Sequence, residues 1–175
     1  GGMLRQQAAG SGVQRVEAHI RGEVPAARGV VLPVKFVGGL LSLGSGMVLG
    51  REGPTVQMGA SVGGFVSRRA KVSTHDTRTL SVALAGAGLG VAFSAPLGGA
   101  MFVFEEVAHA FRTRLVVATL AATTTALAVA RYVVGAEPVL PVRGVDAGST
   151  WLLLAYAVLG ALLGALGVLY NRVVV

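Results

Sequence analysis

Apolar residues along this chain arrive in blocks, and most of the charge is confined to the short intervals between them. A bilayer core of about 30 Å takes roughly 20 apolar residues in a helix. Four blocks approach that length: Gly29 to Gly50, Leu80 to Phe104, Leu115 to Val134 and Trp151 to Tyr170. A fifth, Pro54 to Val66, is apolar but too short to cross unaided. Pro96 divides the second block, because its ring and missing N–H end one helix while its fixed φ suits the start of another. The pattern therefore predicts a span from about Thr77 to Phe93, then a short helix from Pro96 to Glu105. The expected fold is all-α, a polytopic membrane protein with short, broken and re-entrant helices. Such helices are costly unless their free backbone groups face protein or a polar cavity, so two of them in one small segment mark a binding region.

Composition supports the membrane class. Of 175 residues, 53% are hydrophobic and 13% charged, against about 25% charged in soluble domains. The 26 glycines suit spanning helices that approach closely, and the spacings Gly86-x-x-x-Gly90 and Gly160-x-x-x-Gly164 predict helix packing rather than ion contact. A net charge of +7 raises nucleic acid as a partner. The basic residues lie between apolar spans and not on a polar, aromatic-studded face, which excludes it. There is no cysteine, no Ser/His/Asp set, and none of His19, His75 or His109 has a metal partner at useful spacing. No enzyme activity, metal or cofactor is expected. The opening residues show no signal-peptide pattern, and both ends read as cut from something longer.

Charge placement orients the spans. If the first block runs outward and the Pro54 helix returns, the loop holding Arg68, Arg69, Lys71 and Arg78 is cytoplasmic, as is the one holding Arg112 and Arg114. Arg21 and Arg28 join them. The far side keeps Arg143 and Arg131 with Glu137 and Asp146, in keeping with the positive-inside tendency. Trp151 and Tyr170 bracket the last span as interface anchors. Thr123, Thr124 and Thr125 are expected to hydrogen-bond within their helix or to a neighbour, and His75 and His109 to sit solvated in cytoplasmic loops.

Three stretches carry candidate chemistry. In Gly50-Arg51-Glu52-Gly53-Pro54, glycines flank a charged pair and proline stands where a helix begins, so that unpaired N–H groups and the helix dipole favour an anion. Glu52 can occupy such a site when charged and leave it when protonated, or it can simply stabilise its own helix end. An intramembrane carboxylate is costly, which weighs toward function. In Gly10-Ser11-Gly12-Val13, glycines permit tight turns and Ser11 offers a hydroxyl ahead of a short helix ending near Ile20; an ordinary serine cap is the alternative. In Phe104-Glu105-Glu106, adjacent carboxylates point about 100° apart on a helix, so one can face a cavity. The pair can equally be held at the interface by Arg112 or Arg114.

In this order, Gly10-Ser11-Gly12-Val13, Gly50-Arg51-Glu52-Gly53-Pro54 and Ala95-Pro96-Leu97-Gly98-Gly99 leading to Phe104-Glu105-Glu106 resemble the CLC family of chloride channels and chloride/proton antiporters. The resemblance runs through nearly the whole chain. It implies somewhat under half of a CLC-type transmembrane domain, mostly the first of two inverted repeats with the second starting at about residue 151, and a binding site at the repeat interface. It implies that Ser11, between Gly10 and Gly12, coordinates the central anion and favours chloride. Glu52 corresponds to the external gate that competes with chloride and carries protons, with Arg51 and Gly53 beside it. Glu106 corresponds to the internal proton acceptor of the antiporters. Lys35 sits where the family often has a buried lysine, an electrostatic bias on the anion path or a side chain snorkelling to the interface. Gln14 replaces the proline usual after the first motif, and the family's later Gly-x-Phe-x-Pro element and pore tyrosine have no counterpart here. The implied function is chloride/proton antiport in the cytoplasmic membrane of a prokaryote by a homodimer, with a passive chloride channel or an inactive truncated scaffold as alternatives.

Overall fold

The computed structural model describes residues 10, 12–26, 29–135 and 150–174, all of whose regular structure is helical. The chain divides into two compact units, Gly1–Val139 and Leu140–Val175. The first holds α1 (Val13–Arg21), α2 (Val31–Gly44), α3 (Glu52–Arg69), α4 (Thr74–Ala92), α5 (Pro96–Phe102), a π-helical turn (Val103–Val107) and α6 (Thr113–Val134). The second is the single helix α7 (Thr150–Val174).

The spans near the C-terminus follow the apolar pattern. α6 and α7 are the two described helices long and apolar enough to cross a membrane, and at 22 and 25 residues they reach about 33 and 37 Å. Trp151 and Tyr170 stand exposed near the two ends of α7. The first block departs from the expectation of one span over Gly29–Gly50. Its helix has only 14 residues, because the chain turns at Ser45 and Gly46, the latter at φ +83° in the left-handed region that ends helices. The fifth block is longer than its apolar core, since α3 recruits Glu52 at one end and Arg68 and Arg69 at the other, where each charge complements the dipole.

The break at Pro96 is as expected. α4 closes at Ala92, Ser94 takes φ +54°, and Pro96 opens α5 at its first position. At the start of α4, Ser73 accepts a hydrogen bond from the Asp76 N–H at 3.1 Å, a side-chain cap worth about 1 kcal/mol. His75, expected in a loop, stands exposed in the first turn of this helix.

Small residues set the packing. Gly59 lies on the Leu84 carbonyl, Gly63 lies on Ser81, and Gly88 lies on the Thr55 carbonyl, each so close that a Cβ would strike backbone. α3 and α4 thus touch main chain to main chain. Gly86 and Gly99 do the same between α4 and α5, which is the packing role expected of the Gly86/Gly90 pair. The core around these contacts is built from Val16, Val56, Val82, Ala85, Val103 and Phe104, among others. Thr123 and Thr124 donate to the Leu120 carbonyl within α6.

Candidate functional site

The Gly50–Pro54 motif forms the entry to α3. Glu52 is its first helical residue and Arg51 its N-cap. Pro54 is therefore third in the helix and not first, as the sequence suggested. Any first-turn position tolerates proline, because none of these N–H groups has an intrahelical acceptor. The first backbone bond of the helix is Thr55 N–H to Arg51 O at 3.1 Å, and Thr55 Oγ1 donates to Glu52 O at 2.7 Å. The N–H groups of Glu52 and Gly53 are left facing out of the helix end, where the dipole favours negative charge. The Glu52 carboxylate folds back onto Gly50, filling the space a side chain there would need. The half-buried Glu52 thus places its carboxyl group beside Gly50, at the mouth of an anion-attracting helix end.

A cavity of about 450 Å³ opens beside this entry, between α2 and the start of α3. Lys35, Ser42, Gly50, Arg51 and Thr55 are among its lining residues. Lys35 and Arg51 are its charged lining residues, set among mostly apolar ones, with the Glu52 carboxyl group against Gly50 at its edge.

Lys35 also ties this cavity to the first motif. Its Nζ donates to the Gly10 carbonyl at 2.7 Å. Gly10 and Gly12 both take left-handed φ, +69° and +86°, and Gly12 is the N-cap of α1. α1 starts at Val13 with Gln14 in place of a proline and nonetheless forms nine helical residues. Ser11 lies outside the described residues. A Cβ on Gly12 would lie 2.6 Å from the Gln57 Cδ, so Gln57 of α3 packs directly against Gly12. No sequence pattern points to this contact. Gln57 is a buried amide with no neighbouring pattern to flag it, five residues past Glu52.

Glu106 is elsewhere. It lies in the π-helical turn, where Ala108 N–H reaches back five residues to Val103 O at 2.8 Å, and both Glu105 and Glu106 are exposed. This turn belongs to the basic end of the molecule, where Arg78, Arg112 and Arg114 line one cavity with Ala108 and Ala110. Arg114 is committed to Asp76 at 3.0 Å, not to the glutamate pair. Glu52, at the N-terminus of α3, is at the opposite end from the Arg68–Arg78 region. The gathering of Arg68, Arg78, Arg112 and Arg114 at one end fits the loop assignment made from charge, although Arg68, Arg78 and Arg114 are helical residues. Arg28, Glu137, Arg143 and Asp146 lie outside the described residues.

Residues 2–175 match the family model described as voltage gated chloride channel. The chain belongs to that family. It is 45% identical over 171 residues to the H(+)/Cl(-) exchange transporter ClcA of Vibrio cholerae, covering 96% of this chain and 36% of the relative. Identity is 39% to the transporter of the same name from Citrobacter koseri, again over 96% of this chain and 36% of the relative. In structure the chain resembles a slow cyanobacterial Cl-/H+ antiporter, with a TM-score of 0.82 and 34% identity, covering 97% of this chain and 40% of that one. The chain therefore spans little more than a third of the length of these family members. Its all-helical architecture is that of the family, and it is part of an integral membrane protein.

Proposed function

We propose that this chain is part of a chloride/proton antiporter, in which Glu52 serves as the external gate and Glu106 as the internal proton acceptor. The observation that carries the reading is the Glu52 carboxylate folded over the N-terminus of α3, where its charge occupies the place an arriving anion would take. A charged Glu52 competes with chloride for the N–H groups of Glu52 and Gly53 and for the field of Arg51. Proton uptake removes that competition. Anion entry and proton uptake at one carboxylate are then linked by electrostatics alone.

On this reading Gly10, Ser11 and Gly12 form the central anion station, with Lys35 fixing the turn through Gly10 and adding positive potential. Glu106, exposed at the basic end, exchanges protons with the inner solution. The second half of the anion cage comes from the remaining length of the transmembrane domain, and the assembly is a homodimer in the cytoplasmic membrane of a prokaryote. Support comes from the geometry of the two motifs and from relatives whose names describe H(+)/Cl(-) exchange.

The test is reconstitution of the full-length protein in proteoliposomes loaded with chloride. An outward chloride gradient is expected to drive protons inward against their own gradient. Chloride efflux with no proton movement would assign the protein to the passive channels instead.

A further inference from the structure

Three buried polar atoms that the transport reading does not use converge on one small cavity. Arg15, His19 and Ser81 line a space of about 10 Å³ between α1, α3 and α4, with Gln57 and Ala60 forming part of its wall. His19 is 8% exposed and Ser81 1%. Arg15 Nε, His19 Nε2 and Ser81 Oγ are each shielded from solvent and have no hydrogen-bond partner in the protein. Buried polar atoms are almost always satisfied, by protein or by ordered water, so three orphans around one cavity point to a ligand.

The chemistry of these atoms selects it. His19 Nδ1 lies 3.0 Å from the Val24 carbonyl, which only accepts, so Nδ1 carries a hydrogen, and in the matching neutral tautomer Nε2 turns a lone pair to the cavity. Arg15 Nε–H can only donate, and the Ser81 hydroxyl can do either. The ligand must therefore donate to one neighbour and accept from another. Chloride cannot donate to Nε2, and a metal cation would meet the Arg15 charge. Water does both, has a second hydrogen for Ser81 Oγ, and fits a cavity of about one probe sphere while making the three bonds usual for a buried water.

We propose that this cavity is a structural water site, and that its water positions the first anion motif. Gln57 walls the cavity and also stands against Gly12, so the packing that the water completes bears directly on Gly12. The positioning role rests on the chloride reading above; the site itself does not.

A high-resolution structure of the full-length protein tests the site. One solvent peak within hydrogen-bond distance of Arg15 Nε, His19 Nε2 and Ser81 Oγ is expected. An empty cavity, or Arg15 turned directly onto His19, overturns the site, and an anomalous peak there in bromide-grown crystals overturns water as the ligand. Chloride titration calorimetry on full-length protein tests the role. Ser81→Ala and His19→Gln are each expected to weaken chloride binding about three- to tenfold, and the double variant no more than the weaker of the two, because both act through one shared water. Losses that multiply would overturn the shared water. If His19→Gln does not fold, Arg15→Gln paired with Ser81→Ala reads the same coupling. A water peak in a protein that binds no chloride would sink the transport reading and leave the site standing.

Discussion

Gln57 occupies the space that a side chain on Gly12 would need, with its Cδ 2.6 Å and its Cβ 2.7 Å from that position. Gly12 also holds φ at +86°. Gly12→Ala therefore meets two separate penalties, a clash and a left-handed backbone that costs roughly 1–2 kcal/mol for a residue with a Cβ. The variant is expected to lose about 2 kcal/mol or more of stability and to bind chloride weakly. Adding Gln57→Ala removes the Cδ and Oε1 clashes but leaves the Cβ contact at 2.7 Å and the backbone strain, so thermal unfolding of the full-length double variant is expected to recover only part of the loss. Full recovery would mean that neither the remaining Cβ contact nor φ constrains this position.

Glu52→Gln keeps the size of the gate and removes its charge and its titration. Coupled proton uptake in proteoliposomes is expected to fall to the leak rate while chloride efflux stays within a few-fold of the parent. Intact proton coupling in this variant would end the central role given to Glu52.

Lys35→Met removes both the bond to the Gly10 carbonyl and one of the two cations around the cavity at the start of α3. A charged hydrogen bond of this kind is worth about 1.5–3 kcal/mol, so chloride affinity is expected to drop roughly tenfold or more. Lys35→Arg keeps the charge but not the reach of a compact ammonium, and its affinity is expected to fall between the two. Calorimetry with chloride ranks them.

Gly63→Val would drive a side chain into the backbone at Ser81, where even a Cβ comes within 2.6 Å of the Cα. Overpacking of this sort costs about 1–3 kcal/mol or more, and the full-length variant is expected to elute as aggregate or melt several degrees lower. Gly98→Ala is the control. Its Cβ would rest 3.4 Å from the Ala95 Cβ, an ordinary contact, and the melting temperature is expected to hold.

Much of this molecule was legible where one physical rule dominates. The long apolar runs of α6 and α7 gave their helices to within a few residues, because hydrophobic length alone decides them. Pro96 marked the start of α5 for the same kind of reason, a missing N–H that no neighbour can supply. The end of α2 was misjudged because Gly44, Ser45 and Gly46 read as apolar-compatible, and only the backbone shows that Gly46 turns the chain. The π-helical turn at Val103–Val107 has no composition of its own. Gly59-x-x-x-Gly63 carries the same spacing as Gly86-x-x-x-Gly90 and sets α3 directly on the main chain of α4 at Leu84 and Ser81. The anion motifs stood out through the resemblance they carry. Their support from Gln57, and the pocket around His19, depend on which residues meet across three helices, and sequence spacing does not encode that.

The contact of α3 on α4 through Gly59, Gly63 and Gly88 has one more effect. At these three points no side chain separates the two main chains, so there is little slack to take up. The pair moves as one beam or not at all. Opening the gate by sliding or tilting α3 would have to drag α4 and, through Gly86 and Gly99, the short helix behind it. On the proposed reading, the stroke available to Glu52 is then the swing of its own side chain, a few ångströms on a fixed mount, and proton-linked gating should leave the backbone where it stands.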